Sequence, residues 1–154
     1  MSKFINTDST STTRYFKDPD YKILHRIDGP AVIFTNGDKI WYINGKIHRN
    51  DGPAIEFTDG TQEWYQNGEL HNENGPAIVW RNGDTMWFKN GNRHRVDGYA
   101  AQLDSISVRY WAINGKQSFL EQDYKQALAK WVSYREVTTE DIKRAIGDYR
   151  IVEW

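Results

Sequence analysis

The chain has 154 residues, a length typical of a single domain. Its 20 Lys and Arg residues nearly balance its 21 Asp and Glu residues, which argues against a polybasic nucleic-acid binder, a DNA mimic or a membrane-surface protein. The absence of cysteine excludes disulfides, thiolate nucleophiles and cysteine-ligated zinc, and because 14% of the residues are aromatic but only 38% are hydrophobic, we expect a core built mainly from rings.

The first 20 residues precede the regular part of the chain. Residues 1–13 are rich in Ser and Thr, and we expect them to be loose. Residues 15–24 are interpreted as a degenerate half-repeat that covers the first edge of the structure that follows.

Residues 21–116 contain four tandem copies of a 23-residue unit. One motif runs from His to Ala: HRIDGPA at 25–31, HRNDGPA at 48–54, HNENGPA at 71–77 and HRVDGYA at 94–100. A second motif alternates with it: WYING at 41–45, WYQNG at 64–68, WFKNG at 87–91 and WAING at 111–115. The last copy is displaced by one residue, which indicates an insertion within 101–110. We assign structural roles to the first residue of each motif copy: His25, His48, His71, His94, Trp41, Trp64, Trp87 and Trp111.

Glycine-containing pairs predict the turns of these repeats. Three pairs are typical of type I′ hairpin turns, in which both central residues have φ > 0: Asn36-Gly37, Asp59-Gly60 and Asn82-Gly83. The same turn is predicted for the Asn-Gly pairs at 44–45, 67–68, 90–91 and 114–115. The Gly-Pro pairs at 29–30, 52–53 and 75–76 favour extended backbone and lack one N–H donor, so we interpret them as bends between hairpins.

The predicted turns also fix which side chains share a face of the sheet. A two-residue turn at 36–37 places Val32 opposite Trp41 and Ile33 opposite Ile40. The face that we expect to be buried carries Val32, Phe34 and Trp41, with Ile55, Phe57 and Trp64 and with Ile78, Trp80 and Trp87 in the next repeats. The other face carries Ala31, Ile40 and Tyr42 with their equivalents, including Glu56 opposite Glu63, and we expect it to be partly wet.

Tandem 23-residue hairpins with a Trp-Tyr-x-Asn-Gly motif and regularly spaced glycines resemble MORN-type repeats, particularly the divergent kind in bacterial and viral proteins. The resemblance covers residues 21–116. It implies an elongated, meandering antiparallel sheet that holds other molecules. It also implies a biological setting, namely a phage or other viral protein that binds and inhibits a host protein in the host cytoplasm.

Residues 117–154 change to a helical pattern. A capping box at 118–121 is followed by apolar residues at helical spacing: Leu120, Tyr124, Leu128 and Trp131. A second short helix is predicted from Thr139 to Gly147, and residues 149–154 alternate like an edge strand. The expected fold is therefore mainly β with C-terminal α, in which hairpin repeats form an antiparallel meander sheet capped by one or two helices.

The histidines share one register, but their spacing argues against a metal site. Equivalent side chains two strands apart are ~9–10 Å from each other, whereas a shared ion needs ligands within ~2.1 Å of itself. We therefore expect the four histidines to bond to local turn groups, with a direct ligand contact as the alternative. The candidate partners are Asp28, Asp51, Asn74 and Asp97. No metal and no cofactor is predicted.

Glu56 and Glu63 form the one carboxylate pair whose geometry the sequence predicts. Directly opposed strand residues have Cβ atoms ~5 Å apart, near the separation that retaining glycosidases use. A solvated face is the favoured interpretation, because no pocket is indicated around the pair. The chain also lacks a phosphate-binding glycine loop and a nucleophile elbow, so we do not expect an enzyme, and a hydrolase stays the less favoured alternative.

A row of aromatic side chains is the main candidate for binding. Rings above small residues form shallow grooves, and Tyr is favoured at interfaces because it is large, rigid and amphipathic. The predicted binding residues are Tyr42, Tyr65, Phe88, Ile40, Glu63 and Met86. The alternative interpretation is that these rings pack only on the next repeat. The leading hypothesis is a non-catalytic protein-binding module, and the alternative is capture of a small, nucleotide-like molecule in an aromatic groove.

The remaining expectations concern partners and location. The balanced charge disfavours a nucleic-acid partner, and uncovered sheet edges allow a weak dimer as well as a monomer. No apolar run approaches the ~18 residues of a membrane span, and no signal-peptide pattern opens the chain. We therefore expect a cytoplasmic protein whose partner is another protein and not a membrane.

Overall fold

The computed structural model describes residues 4–118, which form β-strands and one short 3₁₀ helix and contain no α-helix. In chain order the elements are β1 (Phe4–Thr7), β2 (Thr13–Phe16), β3 (Val32–Ile33), β4 (Lys39–Ile40), β5 (Tyr42–Ile43), β6 (Lys46–Ile47), β7 (Ile55–Glu56), β8 (Gln62–Glu63), β9 (Tyr65–Gln66), β10 (Glu69–Leu70), β11 (Ile78–Val79), β12 (Thr85–Met86), β13 (Phe88–Lys89), β14 (Asn92–Arg93), β15 (Ala101–Leu103), the 3₁₀ helix Asp104–Ile106, β16 (Val108–Ile113) and β17 (Lys116–Ser118).

Eleven of these strands form one long antiparallel sheet, which is open because its first and last strands do not pair. Its order is β1-β2-β3-β4-β7-β8-β11-β12-β15-β16-β17, and the remaining strands form the hairpins β5–β6, β9–β10 and β13–β14. The predicted antiparallel meander is thus confirmed. The predicted C-terminal helices lie outside the described residues, and β17 ends at Ser118, so it includes the first two residues of the predicted cap.

The start of the chain differs from the expected loose segment. Residues 4–7 form the edge strand β1, which pairs with β2 from Phe4 opposite Phe16 to Thr7 opposite Thr13. The Tyr21 ring packs edge-on against both phenylalanines, with ring centroids 6.5 Å from Phe4 and 5.3 Å from Phe16. This aromatic contact gives the N-terminal hairpin a small apolar anchor of its own.

The Asn-Gly turns within the short hairpins are type I′, as predicted. Asn44 has φ 50° and Gly45 has φ 77°, and the turn leaves Ile43 opposite Lys46. The pairs at 67–68, 90–91 and 114–115 have the same signs of φ. Asn tolerates the left-handed region better than other residues with a Cβ, and Gly enters it without strain, so this dipeptide fits the turn.

The turns at 36–37, 59–60 and 82–83 in the long sheet are not type I′, so the prediction is wrong for these three pairs. The turn at 114–115, which joins β16 to β17 in the same sheet, is type I′. At 36–37, only Gly37, with φ 93°, is in the left-handed region, and Asn36 is not. The Phe34 N–H donates to the Asp38 carbonyl at 3.0 Å, which closes a loop of three residues instead of two. The Asn36 side-chain oxygen accepts the Asp38 N–H at 3.1 Å, so the side chain holds its own backbone out of the I′ conformation. The equivalent loops have the same arrangement, from Asp59 to Thr61 and from Asn82 to Asp84.

The extra loop residue shifts the strand register by one and changes the predicted faces. Val32 lies opposite Ile40, not Trp41. One face of the sheet therefore carries Val32, Ile40, Ile55, Glu63, Ile78, Met86, Ala101 and Tyr110 in a single row. The opposite face carries Ile33, Lys39, Glu56, Gln62, Val79, Thr85, Gln102 and Arg109. The expected buried face is also wrong in part, since Phe34 and Phe57 are each 37% exposed.

Small residues occupy the most crowded positions of the core. Ala31, Ala54, Ala77 and Ala100 have no accessible surface. Ala54 is paired on both sides: its N–H donates to the Glu63 carbonyl and its carbonyl accepts the Trp41 N–H, both at 2.8 Å. Its methyl group is fully covered, so a larger side chain at this position would have to displace its neighbours.

Candidate binding face and the repeat loops

The four predicted histidines join successive repeats. In each case Nδ1 accepts the backbone N–H of the asparagine in the next Asn-Gly turn: His25 from Asn44, His48 from Asn67, His71 from Asn90 and His94 from Asn114, at 3.0 to 3.2 Å. The predicted turn contact is confirmed, but the expected aspartate partners are wrong, because those side chains pair with arginines. Within residues 4–118 no group of three His, Asp or Glu side chains could hold a metal ion.

A second set of side-chain bonds joins the repeats at the opposite hairpin ends. Asp38 accepts the Thr58 N–H at 2.8 Å, and Asp84 accepts the Ser105 N–H at 3.2 Å. The Thr58 N–H bond is the main cause of the lowered pKa of Asp38. Each repeat is thus fastened to the next at both ends, which makes the array stiff.

Arg49 braces the loop at 48–54 from inside. Its guanidinium lies 4.1 Å above the Trp41 ring, donates from Nη1 to the Pro53 carbonyl at 3.1 Å and from Nε to Asp51 at 2.9 Å. This pairing holds the pKa of Asp51 below its usual range. Arg26 and Arg95 repeat the arrangement over Tyr15 and Trp87, each at 4.0 Å.

Gly52 has no left-handed φ, and a glycine suits this position because the Arg49 guanidinium lies close to its Cα. A Cβ at Gly52 would lie 3.1 Å from Cζ of Arg49, and the corresponding distance at Gly98 is 2.8 Å from Arg95. A Cβ at position 52 would require the guanidinium to shift by a few tenths of an ångström, and a Cβ at position 98 would require a larger shift. The sequence predicted only an extended bend at these positions. It did not predict that the arginine of the motif folds back over a ring and lies close to the glycine.

Clefts lie between successive loops. The larger, of about 560 Å³, is lined by Trp41, Ile43 and the loops at 26–29 and 48–51. An equivalent cleft of about 200 Å³ is lined by Trp87, Lys89 and residues of the loops beginning at 72 and 94. Lys89, which stands where Ile43 stands in the larger cleft, bonds to Glu73 at 2.6 Å.

The predicted carboxylate pair does not exist. Glu56 lies opposite Gln62, and Glu63 lies opposite Ile55, because of the shift in register. Glu56 accepts from Arg49 at 2.8 Å, and Glu63 accepts from the Tyr65 hydroxyl at 3.0 Å. The two acids therefore have separate partners on opposite faces, and the geometry required by the hydrolase hypothesis is absent.

The predicted binding residues share one face of the molecule. Ile40, Glu63 and Met86 lie in the row that also contains the buried Val32, Ile55 and Ile78, and Tyr65 reaches Glu63 from two residues away on the same face. All six predicted residues are half-buried: Ile40, Tyr42, Glu63, Tyr65, Met86 and Phe88. Burial raises the pKa of Tyr65 to about 12, with the neighbouring Glu63 charge contributing. We call these six residues the aromatic face.

Trp41, Trp64 and Trp87 lie where the chain passes from the long sheet into a short hairpin, whereas Trp111 lies within β16 of the long sheet. The backbone N–H of Trp41 donates to the Ala54 carbonyl, and the Trp41 carbonyl accepts the backbone N–H of His48 at 3.1 Å. Trp41, Trp64 and Trp87 are half-buried, while Trp111 is buried and its ring lies 4.5 Å from that of Tyr99.

Sequence reasoning missed one residue beside the aromatic face. Arg93 lies opposite Phe88 in the hairpin β13–β14, where the preceding hairpins have Leu70 and Ile47. Aligning the repeats would have shown it, because position 93 carries a charge where the two preceding repeats have aliphatic residues.

Comparison with known proteins adds no assignment. No protein-family model matches this chain, and no curated protein matches it. Among the described residues, none lies in a helix of the length and apolar character that a membrane crossing requires.

Proposed function

We propose that this chain is a non-catalytic protein-binding module, and that its partner is held on the aromatic face. The supporting observation is the half-buried ring at one position of three successive repeats: Tyr42, Tyr65 and Phe88. Rings that are partly exposed and held by a rigid sheet lose little conformational entropy on binding, which favours them at interfaces. The MORN-type resemblance agrees with this role and suggests the finer setting, a viral protein that inhibits a host protein in the cytoplasm.

A pull-down with a matched control tests the proposal. The Tyr42→Ala/Tyr65→Ala variant removes two rings, and Gln62→Ala/Gln102→Ala alters the opposite face at half-buried positions. Proteins captured from a host lysate by the wild type and the glutamine variant should be lost with the tyrosine variant. Equal capture by all three proteins would show that the aromatic face does not bind.

A folding control accompanies the pull-down. Truncating half-buried rings costs stability, on the order of 1–3 kcal/mol each, so the melting temperature of the tyrosine variant must be measured. If that variant is unfolded at the assay temperature, Ile40→Arg replaces it, because this change adds charge to the face without removing a ring. Capture that survives Ile40→Arg would contradict the proposal.

Capture of a small molecule is the second candidate, favoured by the cleft above Trp41. Its volume of about 560 Å³ is in the range of small-molecule sites, roughly 300–1,000 Å³. A thermal-shift screen against nucleotides should raise the melting temperature by several degrees if one binds tightly. Ile43→Lys, which introduces the side chain found in the smaller cleft, should abolish the shift, and a shift that persists would place the ligand elsewhere.

A further inference from the structure

Arg93 breaks the pattern of the repeats at a half-buried position. The residue opposite each ring of the aromatic face is Ile47 for Tyr42 and Leu70 for Tyr65, but it is Arg93 for Phe88. Aliphatic side chains at this register pack against the ring across the hairpin. An arginine at the same place exchanges that apolar contact for a charge.

The Arg93 guanidinium lies between two rings and has no ionic partner within residues 4–118. Its Cζ is 5.9 Å from the Phe88 centroid and 5.7 Å from the Tyr110 centroid. Its Nε is fully buried and is the only such side-chain nitrogen or oxygen in residues 4–118 without a hydrogen-bond partner. No hydrogen bond or ion pair involves the guanidinium within these residues, although the backbone carbonyl accepts the Gly115 N–H at 2.9 Å.

The other arginines of residues 4–118 show how unusual this is. Ion pairs join Arg14 to Asp8, Arg26 to Asp28, Arg49 to Asp51, Arg95 to Asp97 and Arg109 to Asp104. Arg81 is exposed, so water solvates it. Burying part of a guanidinium without a counter-charge is unfavourable, and local departures of this kind concentrate at functional sites.

The surroundings favour an anionic ligand. The guanidinium is a fixed fork of donors that matches a carboxylate with two parallel hydrogen bonds. Rings on both sides lower the local dielectric constant, which strengthens the attraction relative to an arginine in water. The apolar residues of the same face, Met86 among them, would contact the hydrophobic neighbours of an acidic residue in a peptide.

We propose that Arg93, between Phe88 and Tyr110, binds a carboxylate of an acidic, partly apolar segment of the protein partner. This inference rests on the proposed function and specifies the chemistry of the partner. The carboxylate would pair with the guanidinium while adjacent apolar side chains cover Phe88 and Met86. A free phosphate offers similar charge but no apolar groups, so the aromatic surroundings favour the peptide.

The test compares two peptides on the full chain. The probes are acetyl-Leu-Glu-Phe-Glu-Leu-amide and its twin with Gln in place of both Glu, titrated while the Arg93 Nε–H resonance is followed by NMR. The wild type should bind the Glu peptide about tenfold or more tightly than the Gln peptide, with a shift of that resonance. Equal affinity for the two peptides, or stronger binding of inorganic phosphate than of the Glu peptide, would overturn the proposal.

Two variants make the result specific. Arg93→Leu introduces the residue of the preceding repeat, and it should raise the melting temperature while abolishing the preference for the Glu peptide. Arg93→Lys should keep part of the preference, since the charge remains but the fork is lost. A preference unchanged in Arg93→Leu would place the anion site elsewhere. If lysate capture is lost with Tyr42→Ala/Tyr65→Ala but kept with Arg93→Leu, the binding face stands and this inference fails.

Discussion

The loop at 48–54 and the loop at 71–77 solve the same structural problem with different residues. In both, a side chain donates across the bend to the proline carbonyl, from Arg49 at 3.1 Å and from Asn72 at 2.9 Å. In both, the histidine accepts a backbone N–H of the next repeat. Only the loop at 48–54 adds a guanidinium above a ring and an ion pair with Asp51.

Comparing the two loops distinguishes the hydrogen bond that both bends contain from the additional contacts that only the loop at 48–54 makes. The bond to the proline carbonyl is common to the arginine and asparagine loops, so it is the part that the backbone path requires. The third repeat differs from the second at both of these positions: Asn72 replaces the arginine found at position 49, and Asn74 replaces the aspartate found at position 51. A neutral pair replaces an ion pair, and no charge is left without its partner.

The largest expected effect comes from removing all the side-chain contacts of Arg49. Arg49→Ala deletes the carbonyl bond, the stack on Trp41 and the bond to Glu56, and it should lower the free energy of unfolding by about 2–4 kcal/mol. Loss of the pair with the exposed Asp51 adds little to this. The matched variant Asn72→Ala deletes the bond to the Pro76 carbonyl and the bond that the Asn72 side chain accepts from the Asn74 N–H, and it should cost about 1 kcal/mol because Asn74 is exposed and its N–H can bond to water instead. Urea unfolding of both measures the difference. Equal losses would mean that the stack and the ion pairs contribute nothing.

The turns show how far the sequence predicts this fold. The 23-residue period, the antiparallel meander and the Asn-Gly turns at 44–45 and its equivalents followed from residue types alone. The same dipeptide at 36–37 gave the wrong register, because an asparagine side chain can either enter the left-handed region or bond to its own backbone two residues on. That choice depends on which residues pair outside the turn, which a dipeptide does not encode.

The candidate site was predicted in part. The six residues of the aromatic face do share a face, but the register error placed Val32 and its equivalents on the wrong side of it. The brace formed by Arg49 depends on a contact between residues eight positions apart that no strand periodicity links. Arg93 could have been found, since comparing position 93 with 70 and 47 shows a charge in an aliphatic register.

A smaller effect is expected from giving the third loop the residues of the second. No cation stacks on Trp64 within residues 4–118, and Asn72→Arg/Asn74→Asp supplies one together with its carboxylate. The double variant should raise the free energy of unfolding by about 0.5–1 kcal/mol. Asn72→Arg alone should gain less, because its charge has no aspartate beside it. A loss of stability in the double variant would show that the space above Trp64 is not open to a guanidinium.

The smallest effect concerns the bond in which a histidine Nδ1 accepts a backbone N–H of the next repeat. Both loops contain it, and the equivalent bond of His25 in the first repeat is the one to test. Burial lowers the pKa of His25, and the nearby Lys17 charge contributes. Protonation at Nδ1 would remove the acceptor for the Asn44 N–H, so the folded state resists taking up the proton. The unfolded chain binds it near pH 6.5, and stability is therefore lost as the pH falls below about 6.5.

His25→Asn tests this sign, because asparagine does not titrate. Urea unfolding at about pH 7.5 and about pH 5.5 brackets the ordinary histidine pKa while staying above the range in which the aspartates titrate, near 3.9. The wild type should lose more stability between these two values than the variant does, even though the variant is less stable at the higher pH. Identical losses in the two proteins would mean that the imidazole of His25 is protonated as readily in the folded chain as in the unfolded one. The bond to Asn44 would then not depend on a neutral ring.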